Sequence, residues 1–221
     1  LVTFLEQSVD EAREKYFSEL ESKVHPDFAQ QTDILRVLRE DAVDVFVPRE
    51  WTGIQHVPEL KLKVKSTIPD RIKPKNMRRI PPMLYERTKE EFNRMCGYFY
   101  RPSTSPYASP IVVAPKATKP FIRICGDYRR VNLEIESPHY PIPDVIKELH
   151  KAAGYKVFID LDICNAFHGI RLHESVSALL SVQTPWGQFE PKFMPEGVSP
   201  ASGVLMHVVS DIFNEFSEWM V

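Results

Sequence analysis

The chain has 221 residues, 43% hydrophobic and 26% charged, with a formal net charge of −2. That is apolar enough for a sizeable core, yet no apolar run reaches the roughly 20 residues of a membrane span. Its three cysteines (Cys96, Cys125, Cys164) are far apart, with no CxxC or clustered His/Cys spacing, which argues against a disulfide framework or a zinc site. The near-neutral total hides a segregation. Residues 1–60 carry 6 Lys/Arg against 13 Asp/Glu, residues 61–130 carry 17 against 5, and residues 131–221 carry 5 against 12. A basic centre between acidic flanks suits a phosphate-binding surface, though on charge alone it serves equally as a solvated face balanced by the flanks. Residues 1–10 lack a basic stretch before an apolar core, so no signal peptide is expected. Leu1 in place of Met suggests a cut from a longer reading frame.

In chain order, residues 4–23 are rich in Glu, Ala, Lys and Leu and predict a charged, solvent-facing helix. A second short helix is expected over Asp33 to Val43, with Asp33 as N-cap and Ile34, Leu35, Val37 and Leu38 as apolar positions. Proline then punctuates Pro48 to Pro82, leaving one alternating run, Leu60 to Lys65, as a strand in an extended arm. A helical pattern returns from Leu84 to Tyr98, followed by a Pro/Ser-rich connector from Arg101 to Pro110. Ile111 to Ala114 and Phe121 to Cys125 predict a strand pair about a Lys116–Lys119 turn. Ile142, Val145, Ile146 and Leu149 recur at helical spacing after Pro143. Val157 to Asp162 reads as a strand that turns Val157, Ile159 and Leu161 to the core and Phe158, Asp160 and Asp162 away from it. Leu179 to Gln183 and Gln188 to Phe193 flank a Pro185-Trp186-Gly187 turn as a hairpin. Ser199 is the expected N-cap of a last helix, with Pro200 at its first position and an apolar stripe of Leu205, Val208, Val209, Ile212, Phe213 and Phe216. The mixture predicts an α+β fold with a mostly antiparallel sheet, divided into a helical extension over 1–60 and a larger domain over 61–221.

Two carboxylates on one face, Asp160 and Asp162, form a site that hard divalent cations accept, although such a pair more often solvates a turn. The surroundings change that balance. Asp162-x-x-x-Ala-Phe-His-x-Ile-Arg171 resembles the first catalytic motif of retroelement reverse transcriptases. Arg101-Pro-Ser-x-Ser-Pro-x-Ala-Ser-Pro110 is similar to the connector entering the fingers, and Arg123-x-Cys-x-Asp-Tyr-Arg129-x-x-Asn132 to the fingers motif. Tyr140-Pro-Ile-Pro143 and Met194-Pro-x-Gly-x-x-x-Ala201 resemble the turn that follows and the loop and helix after the palm hairpin. The chain therefore resembles the N-terminal part of the reverse transcriptase domain of gypsy-type LTR retrotransposons, best from Arg101 to Phe216 and more thinly from Leu35 to Tyr100.

The resemblance implies the fingers and part of the palm of a right-hand polymerase, behind an N-terminal helical and extended arm. It also implies RNA-directed DNA synthesis by two-metal nucleotidyl transfer. Asp162 and the backbone carbonyl of Ile163 would bind Mg²⁺ (or Mn²⁺), while Asp160, two residues off the family register, would be an outer charge. Lys116 and Arg123 are seven apart, as are the family's fingertip cations, and would hold the dNTP triphosphate. Asn165 and Ala166 would lie under the triphosphate, Phe167 would exclude a ribose 2′-hydroxyl, and Gly197 would let the backbone approach the templating pair. Glu196 stands where relatives carry Phe or Gln, and would repel a triphosphate unless a metal or Lys pairs with it, so either it points away or this copy is drifting from function. Arg78 and Arg79 lie in the basic stretch from Lys61 to Arg101, which would touch phosphates of an RNA/DNA template–primer. The family's second motif, Tyr-x-Asp-Asp, would follow just after Val221, so the 221 residues are expected to be inactive alone. The resemblance further implies a Gag-Pol-type polyprotein and a cytoplasmic or virus-like-particle setting, with no membrane partner. The rival reading is a non-catalytic nucleic-acid-binding remnant of a decayed or recruited element.

Overall fold

The computed structural model describes residues 2–25, 35–41, 50–72, 78–117, 120–136, 144–158, 162–163 and 165–217. The chain forms two compact units, Leu1–Thr52 and Gly53–Val221. In the first, the expected charged helix is α1 (Val2–Lys23). A single turn of π-helix, Val37–Asp41, sends Arg39 over the buried Phe17 ring at 5.7 Å. The same guanidinium reaches Glu14 at 3.4 Å and Glu21 at 3.6 Å. The Asp33 cap and the Val43 end expected of this second helix lie outside the described residues.

The second unit begins earlier than the proline punctuation suggests, because residues after Thr52 already bond into it. The Ile54 N–H donates to the Gly169 carbonyl (2.7 Å) and the Leu60 N–H to that of Arg171 (2.8 Å). The expected Leu60–Lys65 strand forms only isolated bridges, Leu60 to Leu172 and Val64 to Ile135. Two of its three lysines are engaged within the unit: the Lys65 ammonium donates to the Leu133 carbonyl, and Lys63 pairs with Glu136 at 3.2 Å.

A turn of 3-10 helix at Pro82–Leu84 leads into α2 (Tyr85–Cys96), which buries Thr88, Phe92 and Met95 at helical spacing. Five strands follow: β1 (Tyr100–Pro102), β2 (Ser109–Pro115), β3 (Ile122–Gly126), β4 (Val182–Thr184) and β5 (Gly187–Pro191). They form one sheet in the order β1-β5-β4-β2-β3. Every pairing is antiparallel except β2 with β4, which run parallel through Ser109↔Val182 and Pro110↔Gln183. β1 is an edge strand held by β5, with Tyr100 opposite Pro191. Gln188 fixes the connector: its amide donates to the carbonyls of Ser105 (2.7 Å) and Tyr107 (2.9 Å) and to the Ser181 hydroxyl (3.0 Å). Aromatic packing joins α2 to the sheet, with Phe92 stacked on Tyr100 and edge-on to Phe189, each 5.0 Å between centroids.

Among the described residues the unit also holds four further α-helices: α3 (Arg129–Asn132), α4 (Val145–Lys151), α5 (Glu174–Leu179) and α6 (Ala201–Ile212). Four expectations need correction. First, α5 stands where Leu179 was expected to open a strand. It buries Val176, Ser177 and Leu179. Second, Val157 is 80% exposed rather than core-facing, and Phe158 is exposed too, because no described strand pairs with this segment to create a buried face. Asp160 lies outside the described residues. Third, the N-cap of α6 is Pro200, one residue later than expected and without a side-chain bond, while the Ser199 N–H donates to the Asn132 side chain. Fourth, the buried face of α6 is Ala201, Val204 and Val208, while Ile212 and Phe216 of the expected stripe are exposed. α4 does begin after Pro143, capped by Asp144 on the Ile146 N–H (3.0 Å), but Ile146 and Leu149 stay exposed. No described helix is long and apolar enough to cross a membrane.

Candidate nucleotide site

The β2–β3 hairpin raises two cations. The Lys116 N–H donates to the Phe121 carbonyl (2.9 Å) to close the turn, and Phe121 there adopts φ +67°. Arg123 follows on β3, opposite Ala114. Alternation along β3 buries Ile122 and Ile124 and leaves the Arg123 side chain outward.

Between this hairpin, α2 and the Pro195–Glu196 turn runs a cleft of about 160 Å³. Lys116, Arg123 and Asn165 line it, together with Glu91, Arg94 and Glu196. Arg94 donates a fork of two bonds to the Glu91 carboxylate, at 2.9 and 2.7 Å, and lies 5.7 Å over the Tyr98 ring. Arg123 Nη1 is 3.6 Å from Glu196 Oε2, both side chains about half exposed. The carboxylate that the sequence could only suspect of repelling a triphosphate is thus paired with Arg123. Its charge reaches the cleft wall: burial pushes the Cys125 thiol up, Glu196 pushes it further, and Arg123 opposes.

Of the other residues the sequence singled out, Ala166, Phe167 and Gly197 do not line the cleft themselves but are chain neighbours of residues that do. Asn165, at φ +51°, starts the 3-10 turn Ala166–Gly169, on which Ala166 and Phe167 are half-buried. His168 of that turn packs on Phe99 at 4.2 Å between ring centroids. Burial, and then the nearby Arg94 charge, lowers its pKa to about 4. Gly197 follows Glu196 with φ +90°, a backbone conformation that glycine adopts without penalty. A Cβ there would meet only ordinary contacts, so conformation and not space demands glycine. Asp162 and Ile163 lie on an exposed segment and do not line the cleft. Arg78 is bound to Asp127 (2.6 Å), whose carboxyl is held low chiefly by its hydrogen bond from Arg129. Arg79 is exposed.

Asn132 belongs to the quoted fingers motif but had no assigned task. Its amide donates to the Gly197 carbonyl (2.9 Å) and accepts from the Ser199 N–H (3.0 Å), clamping the loop that carries Glu196. Glu91 and Arg94 were legible as an i,i+3 pair on a predicted helix, but nothing in the sequence turned that face toward the hairpin. Among the described residues no group of three His, Cys, Asp or Glu side chains could hold a metal.

The five-stranded sheet with its flanking helices is the mixed α/β architecture of the fingers and palm seen in solved reverse transcriptase structures, a likeness of fold. No protein-family model matches the sequence. The chain is 29% identical over 195 residues to a retrovirus-related Pol polyprotein from transposon opus of Drosophila melanogaster, covering 86% of this chain and 19% of that protein. It is 29% identical over 140 residues to the transposon Tf2-3 polyprotein of Schizosaccharomyces pombe, covering 63% of this chain and 10% of that protein. It thus spans a fifth or less of these relatives. Prototype foamy virus protease–reverse transcriptase shares the fold, with a TM-score of 0.71 over 91% of this chain and 27% of that one at 19% identity. A foamy viral protease–reverse transcriptase in complex with an RNA/DNA hybrid superposes at TM-score 0.68, with 16% identity over 91% of this chain and 27% of that one.

Proposed function

We propose that this chain supplies the nucleotide-binding fingers and part of the palm of an RNA-directed DNA polymerase in a retrotransposon polyprotein. The observation that carries the reading is the cleft shared by Lys116, Arg123 and Asn165. In it Lys116 and Arg123 take the triphosphate of a dNTP, the guanidinium through its planar fork. Backbone N–H groups of Asn165 and Ala166 donate beneath it, Phe167 excludes a 2′-hydroxyl, and Gly197 faces the templating pair. Of the expected extension over 1–60, the part up to Thr52 acts as an extension, and Gly53 onward belongs with 61–221 as fingers and partial palm, with Arg79 and neighbouring cations on template–primer phosphates.

Asp162 and the Ile163 carbonyl are adjacent hard oxygen donors on an exposed segment, the chemistry that Mg²⁺ or Mn²⁺ accepts. Bound there, such an ion would lower the pKa of the primer 3′-hydroxyl and neutralise the departing pyrophosphate. One carboxylate is too little for two ions, so the 221 residues are expected to give no primer extension. Incorporation of labelled dNTP by the purified chain would refute that expectation.

The reading is tested by fluorescence anisotropy with a labelled primer–template in Mg²⁺. The dNTP complementary to the next template base should tighten binding, and a mismatched one should not. Affinity that depends on salt alone would favour the second reading, a non-catalytic nucleic-acid binder, which the Arg123–Glu196 ion pair also favours.

A further inference from the structure

Resting on that reading of the cleft, we infer that Glu196 is an internal anion occupying the triphosphate's place on Arg123, so that a polyphosphate enters only by exchange with this carboxylate. Three features support it. Glu196 Oε2 lies 3.6 Å from Arg123 Nη1 at the cleft mouth, where one negative group already meets the cation a polyphosphate would need. The loop under Glu196 is fixed on both sides: Met194 and Pro195 are buried before it, and Asn132 grips Gly197 and Ser199 after it. Glu196 therefore stays at the mouth and is not carried away with a loose segment. Both side chains are about half exposed, at 57% and 45%, so the carboxylate can leave the guanidinium for water without unfolding.

Such an exposed pair is weak, and a triply or more highly charged anion outcompetes one carboxylate for the guanidinium. The displaced Glu196 then remains as a like charge beside the bound polyphosphate. Glu196 thus sets a threshold against weak, singly charged anions, and weakens every polyphosphate that does bind. Arg94, already forked by Glu91, is not free to compensate, which leaves Lys116 as the second cation of the cleft.

The test is titration calorimetry of the full chain with inorganic tripolyphosphate, at low salt with EDTA, comparing wild type, Glu196→Gln, Glu196→Asp, Arg123→Gln and the Arg123→Gln/Glu196→Gln double variant. Removing the carboxylate charge should tighten binding about tenfold, since a unit charge a few ångströms from a polyanion acts strongly even in water. Glu196→Asp keeps the charge and should bind as wild type does. With Arg123 already replaced, the gain from Glu196→Gln should fall to about twofold, because there is no longer a cation to vacate. An equal gain with and without Arg123 would make Glu196 only a nearby negative charge and overturn the inference. No gain at all, with wild type still binding, would overturn it too and leave the reading of the cleft intact. If neither wild type nor Glu196→Gln binds tripolyphosphate, that reading fails and takes the inference with it.

Discussion

His168 pairs an apolar environment with a neighbouring guanidinium, and both disfavour its protonation, so its pKa falls from the ordinary 6.5 to about 4. Between those values the unfolded chain binds a proton that the folded chain refuses, so stability drops as pH falls through that window and is unaffected above it. The expected loss between pH 7 and pH 4 is on the order of 2–3 kcal/mol. Urea midpoints should show it as a steeper acid dependence in wild type than in His168→Phe. Parallel curves would contradict the assignment. Gly126 is a second such position. A Cβ there would overlap the ring of Tyr128, which is fully buried and donates its hydroxyl hydrogen to the Leu180 carbonyl (3.1 Å). Gly126→Ala should therefore cost about 2–3 kcal/mol, seen as a lowered denaturation midpoint with an unchanged slope. The spacing of Lys116 and Arg123 was legible because it is local to one hairpin. The Glu196 pairing was not, since it joins residues 73 positions apart (196 − 123) whose approach depends on the whole sheet.

At the scale of elements, the hairpin and α2 were readable because their apolar positions alternate or recur at period 3.6 and are buried as that pattern requires. α5 was not readable: Val176 to Leu180 is a short, mostly buried run that suits a strand as well as a helix. The start of α6 was misassigned for another reason. Ser199 has the right chemistry for a cap, but the helix begins one residue later, at Ala201, which leaves Pro200, with no side-chain acceptor, at the cap position. Asn132 is the clasp between α3 and the Glu196 loop. Asn132→Ala should cost about 1–2 kcal/mol and speed amide hydrogen exchange at Gly197 to Ser199 selectively. Unchanged exchange there would remove it as a clamp.

For the whole molecule, the charge segregation along the chain survives folding only in part, because some cations of the basic centre are spent internally. Arg78 is bound to Asp127, which is largely buried, whereas Arg79 is exposed. The two neighbours should therefore separate experimentally. Arg79→Ala should weaken template–primer binding and reduce the slope of log K against log salt by about 0.7–0.9. Arg78→Ala should act first on stability, lowering the thermal midpoint. The opposite pattern would reassign the nucleic-acid contact to Arg78.

The edge strand β1 has a consequence for synthesis. Tyr100 meets its partner Pro191 only after 91 further residues (191 − 100) have been added. At about 5–20 residues per second, a ribosome takes roughly 5–18 s to deliver β5. For that interval the nascent chain carries Tyr100–Pro102 with its pairing edge bare, and bare edges are where chains stick to one another. A burst of synthesis on crowded polysomes would expose this strand to its copies before its own partner exists.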